Sequence, residues 1–417
     1  MLIADPLRGR RRLKQRPETT RVADCIARLH QPLLEQHSEL ALVLDDEHTF
    51  MLLSGSTARM ENFHETDWRL SQMRYRQLLF GLTLTGFGCA GVFATEASPT
   101  LPTYRMVARY PIGGTDTGYD YLHVDAPTRR VFIAHANRVE VVNADTGAKL
   151  GEIAGMHGAH GIEIVDSVDK GYISDGLDRA VTVFDPKTLK VLNTIQPTGV
   201  KPDAIQYDPD TRRLFVVNGG SSGNVTVIDP ATDAIVNTVD LHGGKLEQIG
   251  FDGRGHAFVN DESQNVIHVF DTHSLQVVGA WKLGGCEEPT GMAVDREHHR
   301  VFAACGNEKL AVLDSDDGHV VGVPRIGSDP DGAVFNPRTQ QIFTSNREGT
   351  LSVLHEVSPD RYETQQTVTT EPGARTLALD EKTGRIFMPT ARTGAKPAGG
   401  GAAPILPETF VLLVAGH

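Results

Sequence analysis

The clearest pattern in the chain lies at residues 200–239, VKPDAIQYDPDTRRLFVVNGGSSGNVTVIDPATDAIVNTV. Four short alternating or β-rich runs stand there: AIQY, RLFVVN, NVTVID and AIVNTV. The breaks between them are DPDT, GGSSG and PATD. Alternation and β-branched residues predict strands, and Asp-Pro, Gly-Gly and Ser-Gly predict tight turns. The stretch reads as a four-stranded antiparallel meander. Aligning on the aromatic of the second strand gives Phe132, Tyr172, Phe215, Phe258, Phe302, Phe343 and Phe387, at intervals of 40 to 44 residues. Seven copies of four strands predict an all-β, seven-bladed β-propeller rather than a helical array. The third strand recurs as AVTVFDPKT and NVTVIDPAT, with an Asp-x-x-Thr turn whose side chains cap backbone amides.

The last copy holds TLAL, RIFM and, beyond a Gly/Pro/Ala insertion at 394–407, TFVLLVAG, and then lacks a fourth strand. RMVARY, at 105–110, precedes the first copy and is patterned like a fourth strand. It is expected to complete the last blade and close the ring, which removes the exposed edges that invite aggregation.

Repeats of the form PDAIxxDPxTxRxFVxN followed by VTVIDxxT resemble the YVTN-type, or YncE-like, β-propeller repeat proteins over residues 104–417. The resemblance implies a seven-bladed propeller, usually exported, with no catalytic motif to carry onto these residues.

Residues 1–72 do not match the repeat and are expected to be a non-repeat extension ahead of a true start at Met73. Residues 73–97 contain Arg74 and Arg76, then LLFGLTLTGFGCAGVFA, then TEASP. A basic segment, an apolar segment and a small-residue site (Val92-Phe93-Ala94) in that order read as a signal peptide. The apolar run is short for a membrane span. A periplasmic or secreted protein with no stable span in its mature form is therefore expected. The competing reading is a cytoplasmic extension and a membrane anchor. Cys89 lacks the Leu and small residue expected before a lipidated cysteine.

Composition adds two constraints. Hydrophobic residues make up 40% of the chain, enough for a real core. The net charge is −13, with the acidic excess in the repeat region, so a phosphate backbone would be repelled and nucleic acid is not an expected partner.

In a meander blade, the inter-blade connection and the turn between strands two and three share one face. Twelve residues before each aromatic, at the entry to the innermost strand, stand Asp120, His160, Asp203, Thr290, Asp331 and Arg375, with Glu247 after a turn shorter by one. Three residues after each aromatic stand His135, Asp175, Asn218, Asp261, Cys305, Asn346 and Thr390. Both rings are expected at the channel mouth. A packed core does not choose such charges without partners. The mouth is expected to take a small ligand, a divalent cation held by oxygen ligands, or a partner protein. The competing reading is that each Asp merely caps its own turn.

Three further features bear on chemistry. His157 and His160, in MHGAHG, are candidate loop ligands without a third ligand at a recognised spacing. Cys286 and Cys305 are expected to form a disulfide, the rival being a Cys305 site with Glu287 or His298 nearby in sequence. A metal on Asp203, Glu247 and Asp331 would favour a lactonase-type hydrolase, an idea resting on fold analogy. The chain has no GxSxG elbow, P-loop or CxxCH, and its 6% aromatic content argues against a quinone-cofactor propeller. The leading expectation is an exported binding or scaffold propeller; the alternative is a metal-assisted lactonase-type hydrolase.

Overall fold

The computed structural model describes residues 101–114, 118–397 and 403–417, together with the backbone of Ala41–Leu44 and Phe50–Leu53. The chain divides into two units, residues 1–96 and 97–417. In the first, Ala41–Leu44 and Phe50–Leu53 pair as an antiparallel hairpin. The signal-like segment, 73–97, lies outside the described residues, as does the rest of the 1–72 extension.

The second unit is a seven-bladed β-propeller of four-stranded antiparallel sheets. Six blades are sequential meanders, spanning 122–154, 159–195, 202–240, 246–282, 289–322 and 330–369. The seventh joins Ala378–Asp380, Arg385–Thr390 and Val411–Gly416 to the early strand Arg105–Pro111. The N-terminal strand thus closes the ring, pairing Arg105 with Gly416 and Pro111 with Val411. Among the described residues the helical content is one three-residue 3-10 turn, Asp166–Val168, and no helix is long and apolar enough to cross a membrane.

Within a blade, burial follows strand position. In the third blade the second and third strands, Arg213–Asn218 and Asn224–Asp229, are almost wholly buried, whereas the outer strand Ala234–Asp240 is exposed along most of its length. The inner pair is buried on both faces because each blade is sandwiched between two others. Phe215, Val217 and Val225 of the third blade pack with Leu246, Phe251 and Phe270 of the fourth. All seven aromatics of the repeat column are fully buried. Replacing one of them by Ala leaves a cavity between blades and costs about 3–5 kcal/mol.

Innermost strands carry a recurrent irregularity. The register slips at Ala159/Ile162, Pro202/Ile205, Leu246/Ile249, Pro289/Gly291 and Pro330/Gly332. Each slip straddles one residue of the first predicted ring. A bulge of this kind bends a strand and re-aims a side chain.

Cys286 and Cys305 form a disulfide with a Cα–Cα distance of 5.7 Å. It links the connection entering the fifth blade to the end of that blade's second strand. A Cys305 nucleophile is thereby ruled out in the oxidised protein.

The closing strand is bolted as well as paired. Gln366 brackets Tyr104, accepting from its backbone N–H at 2.9 Å and donating to its carbonyl at 2.6 Å. The buried Tyr104 ring meets Phe343 edge-on at 4.8 Å, and its hydroxyl donates to the Gly384 carbonyl at 3.0 Å. Deleting residues 101–112 is expected to lower the melting temperature of the entire β unit in one calorimetric transition and to promote association through the bared edge of Val411–Gly416. Val191→Ala, on an exposed outer strand, should stay within about 0.5 kcal/mol of the parent. Equal effects of the two changes would disprove a closure role. Reducing the disulfide, which spans 19 residues, should cost roughly 2–4 kcal/mol in urea unfolding.

Candidate functional site

The innermost strands start at one end of the channel, and in the second to sixth blades a bulge sits at the entry residue. Asp120, His160, Asp203, Glu247, Thr290, Asp331 and Arg375, one from each blade, line a single cavity of about 280 Å³. Their backbone is sewn blade to blade. Ser174 donates to the Asp203 carbonyl, Thr290 to the Pro330 carbonyl at 2.6 Å, and Thr376 to the Asp120 carbonyl at 2.9 Å. Asn260 donates to the carbonyls of Thr290 and Gly291, both at 3.0 Å.

The charges of the ring residues are paired. The imidazole of His160 contacts Asp120 closely and lies 3.7 Å from Asp203. Lys201 reaches Asp203 at 2.8 Å, and Lys245 reaches Glu247 at 3.0 Å and also contacts Glu262. Arg375 pairs with Asp331 at 2.9 Å and approaches Asp120 at 3.6 Å, and its ring neighbour Tyr119 lies 5.3 Å beneath the guanidinium. Burial makes each unpaired charge costly, so the pairs are a condition of folding rather than a surplus.

Proton affinities follow from this crowding. Burial and the charges of Asp203 and Asp331 push the Glu247 carboxyl up to about 9 despite Lys245. Burial also raises Asp331, against the pull of Arg375. Burial works to raise Asp120 too, but its hydrogen bond to His160 and the charge of Arg375 hold it below the usual range. The His160 imidazole feels burial lowering it, yet Asp120 and Asp203 win and raise it. Glu247 therefore enters the neutral range protonated.

The second predicted ring does not reach this cavity. His135, Asp175, Asn218, Asp261, Asn346 and Thr390 are buried inside the blades, and Cys305 is in the disulfide. Asp175 accepts from the backbone of His157 and Gly158, each at 2.9 Å. Asp261 accepts from Gly244 and Gln264 and lies 3.1 Å from His268. Asn218 donates to Asn224 and Thr226, Asn346 donates to Thr350 and Ser352, and His135 lies 3.6 Å from Glu140. These side chains tie the inter-blade loop and the second turn to the strands. The placement of His135, Asn218, Asp261 and Asn346 at the mouth is thus corrected: successive side chains on a strand face opposite ways. The residue one step on is the one that faces inward, as Glu262, Gly306 and Arg347 do.

Sequence reasoning missed four further lining residues, which lie in the connections just ahead of the strands. Lys201, Lys245, Glu288 and Asp329 line the cavity and stand two residues before Asp203, Glu247, Thr290 and Asp331. Lys201, Glu288 and Asp329 hold left-handed backbone, with φ of 56°, 56° and 52°, a conformation costing roughly 1 kcal/mol or more for a residue with a Cβ.

His157 and His160 do not share a site. His157 is exposed and pairs with Asp178 at 2.8 Å. The ligand atoms that do converge at the mouth belong to Asp120, His160 and Asp203, all within 4.8 Å, rather than to Asp203, Glu247 and Asp331 together. Tyr121 also lines a second cavity, of about 890 Å³. Burial raises its Glu163 to about 8 and lowers its His123 to about 4, so both are neutral near pH 7.

No protein-family model matches the chain, and no curated protein matches it. Solved structures do. The chain is similar to the WD40 repeats of RRP9, with a TM-score of 0.64 at 10% identity, over 75% of this chain and 98% of that one. It is similar to U3-55K with a TM-score of 0.63 at 10% identity, over 73% and 98% of the respective chains. At that identity the likeness establishes a WD40-type propeller fold.

The raised Glu247 sets a pH dependence. Its folded pKa lies above its unfolded value, so the folded state holds more protons between about 4.5 and 9 and stability falls as pH rises through that window. Glu247→Gln should flatten this slope in urea unfolding at pH 5, 7 and 9. An unchanged slope would show that Glu247 ionises normally.

Proposed function

We propose that the chain is an exported binding protein whose channel mouth takes a small, strongly polar ligand carrying both signs of charge. One observation carries this reading: seven blades deliver seven polar side chains to one cavity of about 280 Å³. Propellers of the WD40 type commonly serve as scaffolds or binding proteins. The mouth offers Arg375, Lys201 and Lys245 to an anionic group and Asp203 and Asp331 to a cationic one. Held in place by folding, these groups lose little freedom on binding, which favours affinity for a ligand that can replace their internal pairs. Amino acids and short peptides fit that description. The signal-like order of residues 73–97, the exported character of the YVTN-type repeat family and the disulfide support a periplasmic or secreted location.

A second reading, a metal-assisted lactonase-type hydrolase, draws on the convergence of Asp120, His160 and Asp203. Lys201 and Arg375 already sit against two of these carboxylates, which disfavours a dication there.

Calorimetric titration with amino acids, dipeptides and dicarboxylates tests the binding reading. Saturable binding of a zwitterion is expected, weakened at least tenfold by Arg375→Ala and by Asp203→Asn in variants whose circular dichroism is unchanged. Failure of the whole panel to bind, or binding indifferent to both variants, would reject the mouth as the site. Turnover of a lactone on adding zinc or calcium would instead favour the hydrolase.

A further inference from the structure

A second cluster lies at the other end of the innermost strands. Asp295 ends the first strand of the fifth blade, and His298 follows in the turn. Glu356 comes from the third strand of the sixth blade. His298 Nδ1 lies 2.7 Å from Asp295 Oδ2 and 3.2 Å from Glu356 Oε1. One ligand atom from each residue falls within 4.8 Å of the others.

Both His298 and Glu356 break the repeat. In the first, third and seventh blades the His298 position holds Thr128, Thr211 and Thr383, whose hydroxyls bond Asp125, Asp208 and Asp380. Glu356 stands three residues past the strand partner of the column aromatic, Val353 opposite Phe343. The second to fifth blades place Pro186, Pro230, Thr272 and Ser315 there. A capping turn needs no imidazole, and this column needs no carboxylate.

Glu356 is also unsatisfied. It is fully buried, and neither carboxylate oxygen accepts a hydrogen bond. Its nearest cation, His298, is already engaged by Asp295. Arg300, the other nearby cation, is spent on Asp314 at 2.7 Å and Asp360 at 2.9 Å. Tyr362, which faces the same cluster, donates its hydroxyl to the Pro359 carbonyl at 2.8 Å. A buried carboxylate without donors is expensive, and a cation is what such a group lacks.

We propose that Asp295, His298 and Glu356 form a binding site for one divalent transition-metal ion between the fifth and sixth blades, on the face opposite the mouth. One imidazole nitrogen and two carboxylates suit zinc or manganese better than calcium. His298 is part exposed, so the ion enters from solvent and keeps water on its open side. The site is independent of the ligand proposed for the mouth.

The test uses the full chain after chelator treatment, titrated with zinc and with manganese by calorimetry and followed by melting temperature. One high-affinity equivalent and a raised melting temperature are expected. Glu356→Gln and His298→Thr should each weaken that equivalent at least tenfold, while Asp120→Asn at the mouth should not. Without metal, Glu356→Gln should melt no lower than the parent, which separates lost ligation from misfolding. Absence of saturable binding to folded protein, or binding that both variants retain, would overturn the proposal. So would loss of the equivalent in Asp120→Asn alone, which would place the ion at the mouth.

Discussion

Ring closure is the constraint on which the rest of this structure depends. A sheet of four strands exposes its edges, and a blade buries its second and third strands only when another blade lies on each side. Closure here joins Arg105–Pro111 to Val411–Gly416, strands some three hundred residues apart in sequence. The join is mechanical as well as topological, because the Gln366 bracket and the Tyr104 ring fasten the closing strand to the sixth blade. Only a closed ring holds seven strand entries around one axis, so the mouth exists as a consequence of the closure.

Convergence creates an electrostatic problem that the chain solves locally. Four carboxylates brought toward one axis would repel strongly where water is scarce. Lys201 and Arg375 answer Asp203 and Asp331, His160 answers Asp120, and Lys245 sits between Glu247 and Glu262. Glu247 completes the balance by keeping its proton. The cations sit on loop residues two before a ring position or on the ring itself, so pairing is built into the blade entry. Left-handed backbone at Lys201 is strain stored beside the cavity, held there by the surrounding ring.

The fold was legible because it is written seven times. A buried aromatic recurring at a near-constant interval exposes the blades, and the missing last strand points to RMVARY. The first ring was legible for the same reason, since entry to an inner strand is a fixed distance from that aromatic. The bulges were not legible: a slip between Pro202 and Ile205 depends on pairing, and no residue type announces it. The second ring failed on parity. Counting three residues from an inward or outward reference reverses the face, so Asn346 went into the blade and Arg347 to the cavity. Asp261 and Asp175 illustrate the competing use of a polar residue at a strand end, which is to satisfy loop amides that would otherwise be buried without partners.

A repeat protein offers an internal control for such decisions. Where the same column holds Asp and Thr in blade after blade, the pair caps a turn and needs no further purpose. Where the fifth blade puts His298 in a column that is Thr in four blades, and the sixth puts Glu356 where the second to fifth hold Pro, Ser or Thr, the architecture has not asked for the change. The two departures meet in space although they lie in different blades, and together they create a buried carboxylate whose nearest cation, His298, is already engaged by Asp295. Random drift at two columns would more readily place an imidazole and a carboxylate apart than within 3.2 Å. Departure from the repeat, juxtaposition and an unmet charge are three separate facts, and they select this corner over the many acidic turns that merely cap themselves.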